Sequence, residues 1–137
     1  MKIILLIMIG LSILQAEFLR ENDVVLDTQT KLMWQDDAIG TPAVWEAAIQ
    51  RCEDLTLTTY SDWRLPNINE LKTIIDRSKS SPAIADGFTQ TSSSYYWSST
   101  RYEGIKNYAW RVGFYDGVVN YNFKDGSGYV RCVRDGQ

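Results

Sequence analysis

Two short apolar runs separated by polar residues open the patterned part of the chain. Residues 24–26 are Val-Val-Leu and residues 32–34 are Leu-Met-Trp, with the polar stretch 27–30 between them. Short runs of β-branched, aliphatic and aromatic residues, bounded by turn-forming residues, are typical of strands. The pattern therefore predicts a β-hairpin near the start of the chain.

Two helices are predicted next. The first begins with Thr41 as its cap and Pro42 at the first helical position. Its apolar residues recur at helical spacing and are Val44, Trp45, Ala48, Ile49, Cys52 and Leu55. The second begins at Asn67, where Glu70 stands in a capping-box position, and we expect it to end near Arg77. Its apolar stripe consists of Leu71, Ile74 and Ile75.

The second half of the chain has the pattern of an antiparallel sheet. Residues 78–94 are rich in Ser, Thr, Pro and Gly, which is typical of a loop. The apolar and aromatic runs that follow predict strands over residues 95–100, 108–115, 118–123 and 129–133. Asp116 and Gly117 lie between two of these strands and predict a two-residue hairpin turn in which both positions have positive φ.

The first sixteen residues have the composition of a secretory signal peptide. Lys2 gives a minimal positive region, residues 3–14 are uncharged and apolar, and Ala16 is the expected cleavage position. Cleavage leaves residues 17–137, a length that suits one domain. The protein is then expected in the periplasm or outside the cell, with no segment inserted in the membrane. An uncleaved signal anchor is the alternative.

The charge of the mature chain argues against a nucleic-acid partner. Lys2 is the only charged residue of the leader, so 13 Lys and Arg face 17 Asp and Glu in the remainder. Proteins that bind nucleic acid carry clustered Lys and Arg that neutralise phosphates. No such cluster occurs along this sequence, and we expect no nucleic acid to bind.

The two cysteines, Cys52 and Cys132, predict one disulfide if the chain is exported, because thiols are oxidised outside the cytoplasm. The bond would tie the first predicted helix to the last predicted strand and close most of the domain into one loop. Two buried, unpaired thiols are the alternative.

Five segments, in order along the chain, carry a family resemblance. They are DTQTKLMWQ (27–35), DWRLPNINEL (62–71), YYWSST (95–100), NYAWRVGF (107–114) and YVRCVR (129–134). Together they resemble the bacterial Lcl C-terminal domain family and cover essentially the whole mature chain.

The resemblance implies an α+β fold, a C-type-lectin-like variant with two helices packed on an antiparallel sheet and one helix-to-last-strand disulfide. It also implies an envelope or extracellular setting and, for some members, glycan binding or adhesion. Adhesins of this type carry the domain on a collagen-like stalk, whereas this chain has nine Gly and no Gly-X-Y repeat. A trimer imposed by a stalk is therefore not expected, and the oligomeric state stays open.

The inventory of reactive side chains argues against catalysis and against a metal site. The chain has no histidine, so neither a Ser-His-Asp nor a Cys-His arrangement can form. Calcium-dependent lectins of this fold class use Glu-Pro-Asn or Gln-Pro-Asp and a Trp-Asn-Asp triplet, and none of these strings occurs. The carboxylate pairs 36–37 and 53–54 are interpreted as a turn and a solvated helix end. We expect no enzyme activity, no cofactor and no metal ion.

Structural roles are expected for several conspicuous residues. We expect Asp62 and Arg64 to satisfy backbone groups or each other at the approach to the second helix. All five tryptophans lie in or beside apolar runs and are predicted to be core residues. They are Trp34, Trp45, Trp63, Trp97 and Trp110.

The polar and aromatic residues after position 100 form the candidate ligand-binding set. Aromatic faces next to cationic and amide groups suit stacking on a sugar ring and hydrogen bonding to hydroxyl or sulfate groups. The four cations among them predict a sulfate-binding patch. The expected ligand is a glycan or a sulfated polysaccharide, and the alternative partner is an envelope protein. The set is Arg101, Tyr102, Lys106, Arg111, Tyr115, Tyr121, Asn122 and Lys124.

Overall fold

The computed structural model describes residues 17–136 and contains two helices and seven strands in that range. The predicted signal peptide lies outside the described residues. Within them, no helix is long and apolar enough to cross a membrane. The elements in chain order are β1 (Phe18–Glu21), β2 (Val24–Asp27), β3 (Leu32–Gln35), α1 (Trp45–Glu53), α2 (Ile68–Lys72), β4 (Tyr95–Arg101), β5 (Tyr108–Gly113), β6 (Val118–Phe123) and β7 (Val133–Asp135).

Two antiparallel sheets carry the fold, which confirms the expected α+β class. The first sheet has the order β1-β2-β3-β7 and the second has the order β4-β5-β6. The predicted hairpin is the β2–β3 pair, with Val25 opposite Trp34. Strand β1 was not predicted, because its sequence, Phe-Leu-Arg-Glu, has no clear alternation and its side chains are mostly exposed. It completes the edge of the first sheet beside β2.

The core consists of two clusters of buried side chains. One contains Trp34 and Phe114 with aliphatic residues of both sheets, and the other contains Trp45, Trp63 and Trp97 around the cysteines. Four of the five tryptophans are therefore buried as predicted. The indole N–H groups of Trp45, Trp63 and Trp97 donate to backbone carbonyls, that of Trp45 to Ser98 O at 2.8 Å. Such pairing lowers the cost of burying an indole. The buried indole N–H of Trp34 has no hydrogen-bond partner among the described residues.

Helix α1 starts later than the sequence predicts. The helix begins at Trp45 with Val44 in its N-cap position, whereas Thr41 and Pro42 lie before it. The reason is a long-range bridge: Ala43 exchanges both backbone hydrogen bonds with Gly128. That pairing holds the segment extended, so proline cannot serve as the first helical residue.

Helix α2 begins as predicted and ends early. Asn67 accepts a hydrogen bond from the Glu70 N–H, and the Glu70 carboxylate accepts one from the Asn67 N–H, which is a complete capping box. The helix ends at Lys72 rather than near Arg77. Ile75 instead forms a β-bridge with Ile84, which draws the chain out of the helix.

The predicted disulfide between Cys52 and Cys132 is present, with the Cα atoms 5.4 Å apart. Cys52 lies in α1, and Cys132 directly precedes β7 instead of lying inside the last strand. The strand predicted at 129–133 is thus wrong in its bounds, because only Val133 belongs to β7. Tyr129 forms an isolated bridge to Tyr96 instead.

The turn between β5 and β6 differs from the predicted two-residue hairpin. The last strand pair is Gly113 with Val118, so four residues form the connection. Phe114 leaves the strand because its N–H donates to Ser94 O and its carbonyl accepts from Ala83 N. Only Gly117 has positive φ, at +85°, while Asp116 does not.

Three charged residues have partners that the sequence did not predict. Asp36, interpreted as part of a turn, is buried and paired with Arg131, whose side chain reaches it from the other end of the chain. Asp62 and Arg64 do not pair with each other. Asp62 pairs with Arg134, and the Arg64 guanidinium makes two bonds of 2.7 Å to the Glu70 carboxylate. Distant segments thus supply the partners.

Candidate ligand-binding site

A group of aromatic rings covers the outward side of the β5–β6 hairpin. Tyr108 and Trp110 are two residues apart on β5, and successive side chains of a strand alternate between faces, so both lie on one face. Their cross-strand partners on β6 are Phe123 and Tyr121. Tyr102, just beyond β4, joins them. These five residues are called the aromatic strip.

The rings of the aromatic strip touch in an unbroken series. Tyr102 stacks on Tyr121 with ring centroids 4.1 Å apart and meets Trp110 edge-on at 5.2 Å. Trp110 in turn meets Tyr121 edge-on at 5.4 Å. At the other end Tyr108 lies 4.4 Å from Phe123. Stacked and edge-on contacts of this kind stabilise one another, so the strip presents a preformed surface.

The outer part of the strip is open to solvent. Tyr121 is 42% exposed and Phe123 is 55% exposed, while Tyr102, Tyr108 and Trp110 are half-buried beneath and beside them. The prediction that Trp110 is a core residue is therefore wrong. Trp110 is half-buried among these neighbouring rings and contributes to a surface.

An open cleft of about 950 Å³ adjoins the strip at Tyr102. It lies between the start of α1, the end of β4 and the loops that flank β5 and β6. Its lining combines three cations, three carboxylates and an amide. The lining residues are Val44, Glu46, Arg101, Tyr102, Glu103, Gly104, Lys106, Asn107, Lys124 and Asp125.

Two of the cations meet at the buried Trp45. The Lys124 ammonium lies 4.4 Å from the centroid of that ring, and the Arg101 guanidinium lies 5.7 Å from it. Attraction between a cation and the negative face of an indole ring holds both groups near the cleft. The Lys124 ammonium also donates to the Lys106 carbonyl at 3.1 Å. This bond connects the loop that carries Lys106, the third cation, to Lys124 beside the Trp45 ring.

The Tyr102 phenol, at the edge of the cleft, stays protonated at neutral pH. Electrostatic repulsion and hydrogen bonding from Tyr121 raise the pKa of Tyr102. A protonated phenol both donates and accepts hydrogen bonds. Tyr102 can therefore present its hydroxyl to a polar ligand while its ring remains stacked.

Five of the eight predicted site residues are brought together here. Arg101, Tyr102, Lys106 and Lys124 line the cleft, and Tyr121 lies in the aromatic strip. Together they place ring-stacking and hydrogen-bonding groups on neighbouring surfaces.

The other three predicted residues lie apart. Arg111 packs over the Tyr95 ring at 3.8 Å and donates to the Asn120 side chain at 2.9 Å. Its pKa is lowered by burial. Tyr115 projects from the β5–β6 turn, and Asn122 follows Tyr121 on β6, so it faces the opposite side of the strand. Arg111 thus lies outside the cluster of the other three cations.

Sequence reasoning missed Tyr108, Trp110 and Phe123 as members of the site. A usable signal was present, since aromatic residues two apart on each arm of a predicted hairpin must share a face. The missing information was the register, which depends on the four-residue turn. A two-residue turn at Asp116 and Gly117 would have shifted every cross-strand pair.

Metal-binding geometry is not seen in the described part of the chain. No three His, Cys, Asp or Glu side chains of residues 17–136 form a group that could hold a metal ion. Accordingly, the three carboxylates that line the cleft form no such group; they are Glu46, Glu103 and Asp125.

The fold and site define a disulfide-linked α+β domain with a preformed aromatic surface beside a charged cleft. The sequence profile of the Lcl C-terminal domain family matches residues 23–134, and the chain belongs to this family. The match covers every element except β1, which precedes it, and the last residue of β7. The chain matches no curated protein.

Proposed function

We propose that the protein is an exported module that binds a glycan, with the aromatic strip as its stacking surface and the adjoining cleft as its polar contact. The observation that carries this proposal is the exposure of Tyr121 and Phe123 at the top of a continuous aromatic cluster. Exposed rings already held in place by their neighbours lose little conformational freedom when a ligand covers them.

The chemistry of the two surfaces suits a saccharide. A sugar ring has an apolar C–H face that packs on an aromatic ring, and hydroxyl groups around its edge that need directional hydrogen bonds. The strip offers the first kind of contact. The cleft offers the second through the Tyr102 hydroxyl, the Asn107 amide and the cationic groups of Arg101, Lys106 and Lys124.

Export and the lack of catalysis are parts of the same proposal. The leader sequence and the Cys52–Cys132 disulfide support an oxidising location, in the periplasm or outside the cell. The absence of histidine from the sequence and the tying up of both cysteines leave no ordinary nucleophile with a paired base. Binding is accordingly proposed as the whole activity, at the cell envelope or in adhesion.

The test is a glycan array probed with the oxidised protein from Glu17 onward, with and without chelator, followed by titration calorimetry on the best ligand. Replacing Tyr121 or Phe123 by Ala is expected to lower the affinity about tenfold each, since a stacking contact is worth about 0.5–1.5 kcal/mol beyond the buried area. Tyr115→Ala is the matched control, because that ring is 62% exposed but lies outside the strip.

Protein binding is the second candidate. Val44 and Ile105 are also exposed near the cleft, and aromatic and aliphatic side chains of this kind anchor protein interfaces. Protein binding would be favoured over glycan binding by two results together. The folded protein would bind no saccharide on the array, and it would cross-link to an envelope protein through the strip.

A further inference from the structure

Strand β6 is the outer strand of the second sheet, which has the order β4-β5-β6. An outer strand pairs readily with a further strand unless charged side chains, proline or a covering segment protect it. The sequence of β6, Val-Val-Asn-Tyr-Asn-Phe, contains neither a charged residue nor a proline. The strand therefore lacks two of the usual protections against pairing.

The backbone groups of alternate β6 residues point away from β5. In an antiparallel ladder, hydrogen-bonded pairs alternate with pairs whose N–H and C=O groups point outward. The Lys124 N–H donates to the Asn107 carbonyl at 2.8 Å, so this pair belongs to the bonded set. Counting back along the strand from this pair, the outward residues of β6 are Val119, Tyr121 and Phe123.

Most of these outward groups are unpaired within the domain. The Phe123 carbonyl accepts from the Gly126 N–H at 2.9 Å. Val119 and Tyr121 make no backbone hydrogen bond to a residue outside β5 in the described range 17–136. A further strand would therefore find donors and acceptors here at the spacing of a ladder.

A second copy of β6 in the antiparallel direction matches this edge. One register engages all three outward residues: Tyr121 faces Tyr121 of the second copy across a two-fold axis, and Val119 faces Phe123. On the other face of the sheet, Asn120 then faces Asn122. Apolar side chains meet apolar ones, amides meet amides, and no like charges are opposed.

The charges that flank β6 are complementary in the same register. The Arg77 guanidinium donates to the Gly117 carbonyl at 3.0 Å, directly before β6. Asp125 of the second copy comes opposite Gly117. Neither Arg77 nor Asp125 forms an ion pair within the part of the chain that the structure describes. The two-fold axis repeats this pairing, so opposite charges meet at both ends of the strand pair.

We propose that the protein forms a symmetric dimer in which the β6 strands of two copies pair antiparallel about Tyr121. The two three-stranded sheets become one sheet of six strands. The two-fold axis is perpendicular to this sheet, so both aromatic strips lie on the same face and meet at Tyr121. A single strand pair buries less than the total of about 1,200 Å² at which stable interfaces begin, so the dimer dissociates on dilution.

The test is sedimentation velocity of the oxidised protein from Glu17 onward. The protein concentration is varied from about 1 μM to about 1 mM, the range of dissociation constants that suits a weak interface. The average mass is expected to rise with concentration and to level off at that of a dimer. A monomer at every concentration, or association that continues to trimers, overturns the proposal.

Charge substitutions at the axis test which residues face each other. Tyr121→Lys and Tyr121→Asp each oppose like charges, so each variant alone should dimerise about tenfold or more weakly than the native protein. A mixture of the two should form a heterodimer. Leu19→Lys and Leu19→Asp are the matched controls, since Leu19 is 52% exposed on β1, the outer strand of the other sheet. Both controls should dimerise like the native protein.

The ends of the strand pair test the register without changing Tyr121. Arg77→Glu should weaken the dimer, and adding Asp125→Arg to that variant should restore part of the lost affinity. Near-ultraviolet circular dichroism verifies that each variant is folded. Failure of the mixed Tyr121 variants to associate, or of the second charge reversal to restore affinity, overturns the proposed pairing. No saccharide enters these measurements, so their outcome is independent of the glycan-binding proposal.

Discussion

The most demanding test of the fold concerns the buried carboxylate of Asp36. Its side chain is inaccessible to solvent and pairs with Arg131, which is 3% exposed, through a bond of 2.8 Å. The backbone N–H groups of Thr89 and Gln90 donate to the same carboxylate at 2.9 Å and 3.2 Å. Arg20, on β1, forms a further ion pair with it. Asp36 thus joins β1, β3, the loop between α2 and β4 and the segment before β7.

Asp36→Asn removes the charge and keeps the shape. The main cost arises at Arg131, whose guanidinium stays buried without a counter-charge. Breaking a buried pair in this way costs about 3–5 kcal/mol. Arg131 still donates to the carbonyls of Gln35 and Gln90, which reduces the loss. We therefore expect the free energy of unfolding to fall by about 3 kcal/mol, a large part of the 5–15 kcal/mol typical of a domain.

The same carboxylate gives stability a dependence on pH. Burial raises the pKa of Asp36, but hydrogen bonds from Arg131 and the Thr89 N–H outweigh burial and lower the pKa below its usual value. A group whose pKa is lower in the folded state stabilises the fold above its unfolded pKa, about 3.9 for Asp. That contribution is lost as pH falls through the folded pKa. Asp36→Asn should therefore flatten the acid limb of the stability curve.

The assay is urea unfolding of the oxidised protein, followed by tryptophan fluorescence at neutral pH and across the acid range. Asp37→Asn is the matched control, since Asp37 is the next residue and its carboxylate is half-buried and accepts a hydrogen bond from the Gln35 amide. The control should change stability by less than about 1 kcal/mol. A similarly small change for Asp36→Asn, or an unchanged acid limb, would refute the reasoning.

Two further predictions concern the scaffold. Replacing Cys52 and Cys132 by Ala opens a loop with a sequence separation of 80, and the chain-entropy estimate for such a loop is about 4–5 kcal/mol. Urea unfolding of the variant and of the native protein, each without reductant, should show that the variant's free energy of unfolding is lower by several kcal/mol. Gly128→Ala places a methyl group 2.7 Å from the indole nitrogen of the buried Trp97, so thermal unfolding should show a loss of about 1–3 kcal/mol.

Local chemistry made part of the fold predictable. The capping box of Asn67 and Glu70 needs only residues three apart, so the start of α2 could be predicted from sequence. The β2–β3 hairpin follows from two apolar runs and a short polar turn. The disulfide followed from composition and the expected compartment, because two cysteines allow only one pairing.

Long-range contacts explain what was missed. The backbone bridge from Ala43 to Gly128 delays α1, and no feature near Thr41 reveals it. Asp36 has the sequence context of a turn, and its burial depends on arginines that precede and follow it at a distance. Residues separated by many positions cannot be paired from propensity or periodicity alone.

The residue types of the candidate site could be predicted from the sequence, whereas its full set of residues could not. Four of the residues after position 100 that the sequence singled out line one cleft, because one loop and one neighbouring segment hold them all; they are Arg101, Tyr102, Lys106 and Lys124. Trp110 was assigned to the core because a tryptophan in an alternating run is usually buried. Only the register of β5 and β6 shows that it belongs with Tyr121.

Strand β6 provides the strongest physical reason to expect a partner at the aromatic strip. It forms an edge of its sheet, and none of its side chains is fully buried. Folding therefore does not require Tyr121 and Phe123 to be aromatic, and an exposed edge strand with apolar side chains is a liability for association. Polar residues would serve the isolated domain better at both positions. Under the proposed function a ligand covers these rings. Substituting Phe123, the more exposed of the two, should weaken binding and lower the free energy of unfolding by no more than about 0.5–1.5 kcal/mol, the value of its contact with Tyr108.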